Sequence, residues 1–210
     1  MKKATPPFTK YPGNKWLARQ VERSGSDFTI PFIHGVVRGA LANPFAVDPG
    51  AALEEVLKDA DMEGFSQDEF DKLSIAFLFL WNNTARSLSS SRPFPEAVSS
   101  AIRTEVGGFY LLSEAADLVE GFVRGFYLKN DSQNTQITRA HVCLKLLEGE
   151  GEWCRMMYES PDLLEKTFTQ GCFPEHLIIE TAEWIEECTR KVAVLARDEM
   201  KSERTEGLKD

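Results

Sequence analysis

The sequence has little of what marks a membrane-spanning or secreted protein. No apolar run approaches the ~20 residues that a membrane-spanning helix needs. The N-terminal stretch is basic but has no apolar core, which argues against a secretory signal. Only four cysteines occur, all in the last third of the 210 residues, and we expect reduced, partly buried thiols rather than a disulfide framework. These absences predict a cytoplasmic protein.

The motifs of common catalytic and metal sites are also missing. We find no phosphate-binding loop, nucleophile elbow or dinucleotide fingerprint. None of the three histidines follows a glutamate by three positions, as a di-iron helical bundle requires. The ligand types available for a metal are His141, Cys143, Cys154, Cys172 and His176. No Cys-x-x-Cys knuckle joins them, so we predict no metal and no cofactor. A Cys–His hydrolase stays open, because such partners meet only in space.

The chain has fewer basic residues than acidic ones. Its net charge is −9 and its isoelectric point is near 5.0. An acidic surface repels phosphate backbones and anionic membranes. We therefore expect no nucleic acid and no membrane as partner. The expected partner is another protein, of which a basic or mixed-charge one stays open, and the oligomeric state is left open.

What the sequence does contain is helical periodicity, which predicts an all-α fold. The first helix is predicted over Asn14–Arg23, and the second begins near Thr29 and runs to Asn43. Asp48 is the expected N-cap of the third helix. Ser66-Gln-Asp-Glu69 is a capping box that introduces a long helix. The predicted buried stripe of that helix is Phe70, Leu73, Phe77, Leu80, Trp81, Thr84 and Leu88.

The second half of the chain follows the serine- and proline-rich break "SSSRPFPEAVSS". Ser113 is predicted to cap a helix over Glu114–Leu128. A helix over Ile137–Leu147 and a helical piece around Trp153–Tyr158 are predicted next, with Gly149-Glu-Gly151 as an acidic turn between them. The final helix, after Pro174, has a predicted buried stripe of Leu177, Thr181, Trp184, Cys188, Val192 and Leu195.

These boundaries predict one main domain. Residues 1–25 form an N-terminal extension, residues 26–200 a single all-helical domain, and residues 201–210 a frayed tail. Within the domain, the break divides the chain into halves of residues 26–91 and 96–200.

The most specific feature is a repeated glycine pair. Gly35-Val-Val-Arg-Gly39 returns 86 positions later as Gly121-Phe-Val-Arg-Gly125. Each glycine costs a helix about 1 kcal/mol relative to alanine, so close packing must offset the loss. Glycines four apart leave a smooth groove that lets two helix backbones approach.

We therefore predict that the two glycine-bearing helices pack closely, against each other or against the long striped helices. In the first case the two halves form a pseudo-twofold core. The alternative is that the glycines only make room for Trp81 or Trp184. On this prediction Gly125→Ala is expected to destabilise modestly, and Gly125→Leu to prevent folding.

Polar residues flank both glycine pairs at equivalent positions. Arg38 and Arg124 precede the second glycine of each pair and are expected to point away from the glycine face, towards water or a carboxylate. His34 and Glu120 precede the first glycine, and a contact between these two is a hypothesis for the structure to answer.

Four stretches resemble the YgfB/YecA-like proteins, in the order seen in that family. They are "FIHGVVRGALAN", "LSIAFLFLWNNTARSL", "ADLVEGFVRGFYLK" and "HLIIETAEWIEECTRKVAVLARDEM", together spanning about residues 26–200. The resemblance implies a small soluble bacterial protein with a compact all-α fold, no assigned enzymatic activity and a role in binding other proteins, including regulators of gene expression. Some members add a cysteine-rich metal-binding segment, which the end of this sequence, "RDEMKSERTEGLKD", does not contain.

The sequence thus predicts a non-enzymatic protein-binding or regulatory adaptor. Its interaction residues are expected among His34, Arg38 and Arg124 and in two proline-bearing loops, where Phe45 and Phe94 are candidate anchors. Phenylalanines under loops also serve as satellites of the core. The alternative is a metal- or small-ligand-binding protein, or an enzyme, with a pocket between the two halves.

Overall fold

The computed structural model describes residues 8–43, 47–90, 92, 94–95, 97, 109–128, 138–160 and 175–206. In this part of the chain the regular structure is entirely helical, which confirms the predicted fold class. The helices are α1 (Asn14–Arg23), α2 (Ile30–Ala42), α3 (Pro49–Val56), α4 (Gln67–Ser90), α5 (Phe109–Tyr127), α6 (Thr138–Glu159) and α7 (Glu175–Glu206). None of these described helices combines the length and the apolar character that crossing a bilayer requires.

Three helices of the first half start where the sequence placed their starts, and each start is capped by a side chain. The Thr29 side chain accepts a hydrogen bond from the Phe32 amide at 3.3 Å, and Asp48 accepts one from the Ala51 amide at 2.9 Å. Each bond satisfies an amide that has no partner within its own helix. The predicted capping box before α4 forms as well, since the Ser66 amide donates to the Glu69 carboxylate at 2.9 Å.

Two predicted boundaries in the second half are wrong. Helix α5 begins at Phe109, so Ser113 lies inside the helix rather than at its cap. Helix α6 runs unbroken through the predicted turn at Gly149 and Gly151. Its packing supplies the reason: Gly151 is buried against the Val119 side chain of α5, and tertiary contact offsets the low helix propensity of glycine.

The core has two clusters that α2 and α5 join. One cluster takes its residues mainly from α1 to α4, and the other mainly from α5 to α7. Leu17 and Val21 of α1 are buried in the first cluster, so part of the predicted N-terminal extension contributes to the core. The described part of α7 continues as helix to Glu206, beyond the predicted start of the tail.

The predicted stripes hold in α4 and fail in part in α7. In α4 six of the seven predicted positions are buried, and Phe70 is 36% exposed. In α7 the predicted stripe residue Trp184 is 45% exposed. The buried positions of α7 are Ile178, Ala182, Ile185, Thr189, Val192, Ala193 and Ala196. Apart from Val192, which belongs to both sets, these positions lie one residue after the predicted ones, so the predicted register of the stripe was wrong by one residue.

The glycines of α2 lie directly against the backbone of α5. A Cβ placed on Gly35 would sit 2.3 Å from the carbonyl oxygen of Leu118, and one on Gly39 would sit 2.0 Å from that of Phe122. Real Cβ atoms do not come this close to a backbone oxygen. The glycine Cα–H therefore faces the carbonyl directly, a contact that recurs where helices cross closely.

The glycines of α5 make the reciprocal contacts with α2. A Cβ on Gly121 would lie 2.1 Å from the carbonyl oxygen of Phe32, and one on Gly125 would lie 2.2 Å from that of Val36. Adding 86 to any contact residue of one helix gives its counterpart in the other. The two helices thus run in the same direction and are related locally by a twofold axis. The atoms nearest to each of the four sites belong to the facing helix, not to a tryptophan.

Candidate functional site

The equivalent arginines of the two glycine helices lie in different surroundings. The Arg38 side chain is 1% exposed. Its guanidinium donates to the Pro95 carbonyl at 3.0 Å, to the Glu186 carboxylate at 3.1 Å and to the Thr189 hydroxyl at 3.3 Å. The Phe94 ring covers its other face, with 4.7 Å between the guanidinium carbon and the ring centroid. Burial lowers the pKa of Arg38, and Glu186 opposes that shift.

His34 lies one helical turn before Arg38 and is equally buried. Its Nε2 is 3.0 Å from the Asn14 side-chain oxygen, and its Nδ1 has no hydrogen-bond partner in the described part of the chain. Burial and the nearby Arg38 cation lower the pKa of His34 to about 3, so the ring is neutral at physiological pH. The hypothetical contact with Glu120 is not formed.

This cluster joins α2 to α7 and to the chain around residues 94–95. His34 and Arg38 are too deeply buried to touch a partner, and Phe94 packs against the core as a satellite of it. Phe45, the other aromatic candidate, lies outside the described residues. The Arg38 side of the helix pair is therefore closed by the protein itself.

The Arg124 side is open. The Arg124 side chain is 39% exposed and donates to Glu120 at 2.7 Å and to Glu55 of α3 at 3.4 Å. Its guanidinium carbon lies 5.5 Å from the ring centroid of Phe28 and 5.3 Å from that of Phe32. Arg124 thus connects the two halves at the surface, where Arg38 does so in the interior.

A second arginine, Arg155 of α6, extends this surface network. Arg155 bridges Asp117 and Glu120 of α5, with both distances 2.9 Å. Asp117 also accepts a hydrogen bond from the Thr29 hydroxyl at 2.8 Å. Single exposed ion pairs contribute little, but a shared carboxylate holds several side chains in one geometry. The network fixes α6 against α5 at this edge.

A groove of about 410 Å³ lies beside the network, between α5 and α6. Its floor is apolar and its edges carry charge. The apolar lining residues are Ala116, Val119, Val123 and Met156, and the α6 glutamates along it are Glu148, Glu152 and Glu159. The residues that line it all belong to the second half, whereas the sequence predicted a pocket between the halves. We call it the α5/α6 groove.

The edge of the α5/α6 groove has an excess of negative charge. Both arginines that line it, Arg124 and Arg155, are engaged by carboxylates of this chain. Glu148 pairs with Lys145. Glu152 and Glu159 make no ion pair with any residue that the structure describes. Two carboxylates that form no ion pair with the described residues therefore flank an apolar floor.

The described residues give little support to the metal-site alternative. Among the described residues, no three histidine, cysteine or acidic side chains come close enough to hold an ion. His141 instead approaches the Tyr127 hydroxyl, with 3.3 Å between that oxygen and its Nδ1. Burial raises the pKa of the Cys154 thiol to about 12, so this cysteine stays protonated and acts as a small apolar side chain. The side chains of Cys172 and His176 lie outside the described residues.

Sequence reasoning identified Arg124 as a site residue but missed the groove. The i, i+4 spacing of Glu120 and Arg124 is readable as a surface pair. Gly151 was the missed signal, because it lets α6 approach Val119 closely and so places Arg155 beside Glu120. A single glycine in the sequence does not by itself predict such a close approach of two helices.

Comparison of the chain with protein-family models, with curated proteins and with solved structures gave no match. The resemblance to YgfB/YecA-like proteins therefore stays a prediction from the sequence motifs described above. The fold and the α5/α6 groove are the structural grounds for a function.

Proposed function

We propose that this protein is a non-enzymatic adaptor that binds a protein partner in the α5/α6 groove. The observation that carries the proposal is an apolar floor bordered by the carboxylates of Glu152 and Glu159, which form no ion pair within the described part of the chain. Such a groove between two helices is a recurring site for the apolar face of a third. The resemblance to YgfB/YecA-like proteins supports the same class of function, and the free thiols Cys143, Cys154 and Cys188 agree with a cytoplasmic location.

The charge of the groove selects the kind of partner. An amphipathic helix with Leu-like residues at i, i+3 and i+4 would cover Val119 and Val123, and lysine or arginine beside that face would meet the glutamates of α6. An acidic helix would be repelled by the same carboxylates. We therefore infer a basic amphipathic segment as the partner.

A small-molecule ligand is the alternative, and the volume of the groove falls in the usual range for such sites. A ligand pocket needs polar groups that are available to orient the ligand. Here Arg124 and Arg155 are already held by Glu120, Glu55 and Asp117. This arrangement favours a protein partner that covers the floor and pairs with the rim.

The test uses two fluorescent 18-residue peptides with identically spaced leucines, one with lysine and one with glutamate on the polar face. We expect the lysine peptide to bind the full-length protein, more weakly as salt increases, and the glutamate peptide not to bind. Glu159→Lys should weaken binding about tenfold, since charge pairs at a rim contribute on the order of 1 kcal/mol. Val123→Trp should fill the floor and weaken binding further.

The matched control is Glu54→Lys, which makes the same charge change on an exposed residue of α3 away from the groove. It should leave peptide affinity nearly unchanged. Equal losses in Glu54→Lys and Glu159→Lys would show that the peptide senses only net charge, and the groove proposal would then be wrong.

A further inference from the structure

A second apolar surface lies on the outer face of α6. Val142 is 58% exposed, Leu146 is 65% exposed and Met156 is 44% exposed. Gly149, between them, has open space where a Cβ would be, and Trp153 is half-buried. These five residues follow one another in steps of four, three, four and three, which is the spacing of a coiled-coil seam. We call this set the α6 stripe.

The α6 stripe is long enough to take a helix. From Val142 to Met156 it covers 15 positions, or about 21 Å of helix from the first residue to the last. Large apolar side chains this exposed, aligned on a single helix face, are typical of an interaction surface. The stripe faces outward from α6 and shares only Met156 with the lining of the α5/α6 groove.

We propose that a second copy of this chain covers the α6 stripe, with the two α6 helices antiparallel. When the twofold axis passes between Leu146 and Gly149, each Leu146 lies opposite Gly149 of the second copy. The most exposed side chain of the stripe then fills the one position of the seam that has no side chain. Each Val142 likewise lies opposite Trp153 of the second copy, so large and small residues alternate along the contact.

The charges beside the stripe fit the same arrangement. Lys145, which is exposed and also pairs with Glu148 of its own helix, and Glu152 are seven positions apart and so lie on the same flank of α6. In an antiparallel pair equivalent flanks face each other, which brings Lys145 of one copy against Glu152 of the other, twice by symmetry. In a parallel pair, Trp153 would instead lie against Trp153 of the second copy, and the two Gly149 residues would face each other.

The expected dimer is weak and concentration-dependent. A contact built on one helix face of this length is smaller than the interfaces of stable dimers, which bury at least about 1,200 Å². We therefore expect a dissociation constant in the range of about 10 µM. This inference concerns a neighbouring face, which shares Met156 and the flanking Glu152 with the α5/α6 groove, and it does not depend on binding in that groove.

Sedimentation velocity of the full chain, over roughly a hundredfold range of concentration around that constant, tests the proposal. Leu146→Asp should abolish association, and its circular dichroism should match that of the unaltered protein because the side chain is exposed. Lys145→Glu and Glu152→Lys should each weaken association about tenfold or more. Combining the two substitutions exchanges the charges and should restore it.

Three outcomes would overturn the proposal: a monomer at every concentration, a Leu146→Asp protein that still dimerises, or a charge exchange that fails to restore association. Binding of the lysine peptide to Leu146→Asp gives an independent readout. It should remain intact if the groove and the stripe are separate sites, whatever the outcome for the dimer.

Discussion

The two sides of the central helix pair start from the same sequence pattern and end in opposite environments. Arg38 and Arg124 occupy equivalent positions beside equivalent glycines, yet Arg38 is 1% exposed and the Arg124 side chain is 39% exposed. On the Arg38 side, Glu186 and Thr189 of α7 close over the guanidinium. On the Arg124 side no helix takes that place among the described residues, and the α5/α6 groove opens there.

The difference shows which part of the repeat determines structure. Each backbone contact that a glycine of one helix makes is repeated by the equivalent glycine of the other helix, across the local twofold axis. The arginines point away from that axis and meet whatever the rest of the chain supplies. A repeat of this kind therefore predicts the helix pair but not the surroundings of its outer faces.

The largest expected difference between the two sides comes from removing one carboxylate on each. Glu186→Ala leaves Arg38 as a buried cation without its counter-ion, which should cost about 3–4 kcal/mol of the free energy of unfolding. Glu120→Ala leaves Arg124 and Arg155 in contact with water and with Glu55 and Asp117, and should cost less than about 1 kcal/mol. Urea unfolding of both variants measures the two values.

A double variant sharpens this result. Arg38→Met combined with Glu186→Ala removes both charges, so it should be more stable than Glu186→Ala alone. Equal costs for Glu186→Ala and Glu120→Ala would contradict the contrast between a closed and an open side.

Much of the fold was predictable because local chemistry decides it. The caps at Thr29, Asp48 and Ser66 set helix starts through hydrogen bonds within a few residues, and the glycine spacing indicated the close helix pair. The continuity of α6 through Gly149 was not predictable, since it depends on packing of Gly151 against α5. The groove could not be predicted for the same reason: its lining comes from two helices whose approach no local pattern records.

The next prediction concerns the glycines. Substituting equivalent glycines of the two helices should change the free energy of unfolding by similar amounts, although the equivalent arginines differ in their surroundings. Gly39→Ala and Gly125→Ala each place a Cβ within 2.2 Å of a carbonyl oxygen in a helix backbone, which cannot move aside as a flexible side chain would. After about 1 kcal/mol of gain in helix propensity, each should still lower the free energy of unfolding by about 2–3 kcal/mol. This exceeds the modest loss that the sequence alone suggested for Gly125→Ala.

Gly149→Ala is the matched control, because its Cβ would meet open space. It should raise the free energy of unfolding by up to about 1 kcal/mol through helix propensity alone. Thermal denaturation of the three variants compares them directly. A stable Gly39→Ala protein beside an unstable Gly125→Ala protein would contradict the local twofold symmetry.

The smallest expected effect is a difference between the two sides in how the free energy of unfolding depends on pH. It concerns His34 and Glu120, the residues that precede the first glycine of each pair. The folded-state pKa of His34 is about 3, far below the ordinary value of 6.5, because the ring is buried beside Arg38. Between these two values the unfolded chain binds a proton that the folded protein does not, so stability is complete above pH 6.5 and decreases as the pH falls. At pH 5 the loss from this residue should be about 2 kcal/mol.

The measurement is the difference in urea-unfolding free energy between the unaltered protein and His34→Gln, followed from pH 7.5 to pH 5. Most other titrating groups are common to both proteins, so the difference isolates His34. Its counterpart Glu120 has a side chain that is 40% exposed, and Glu120→Gln is the matched control on the open side. If His34→Gln and the unaltered protein lose stability in parallel, His34 titrates in contact with water. The closed side of the helix pair would then be open at this turn.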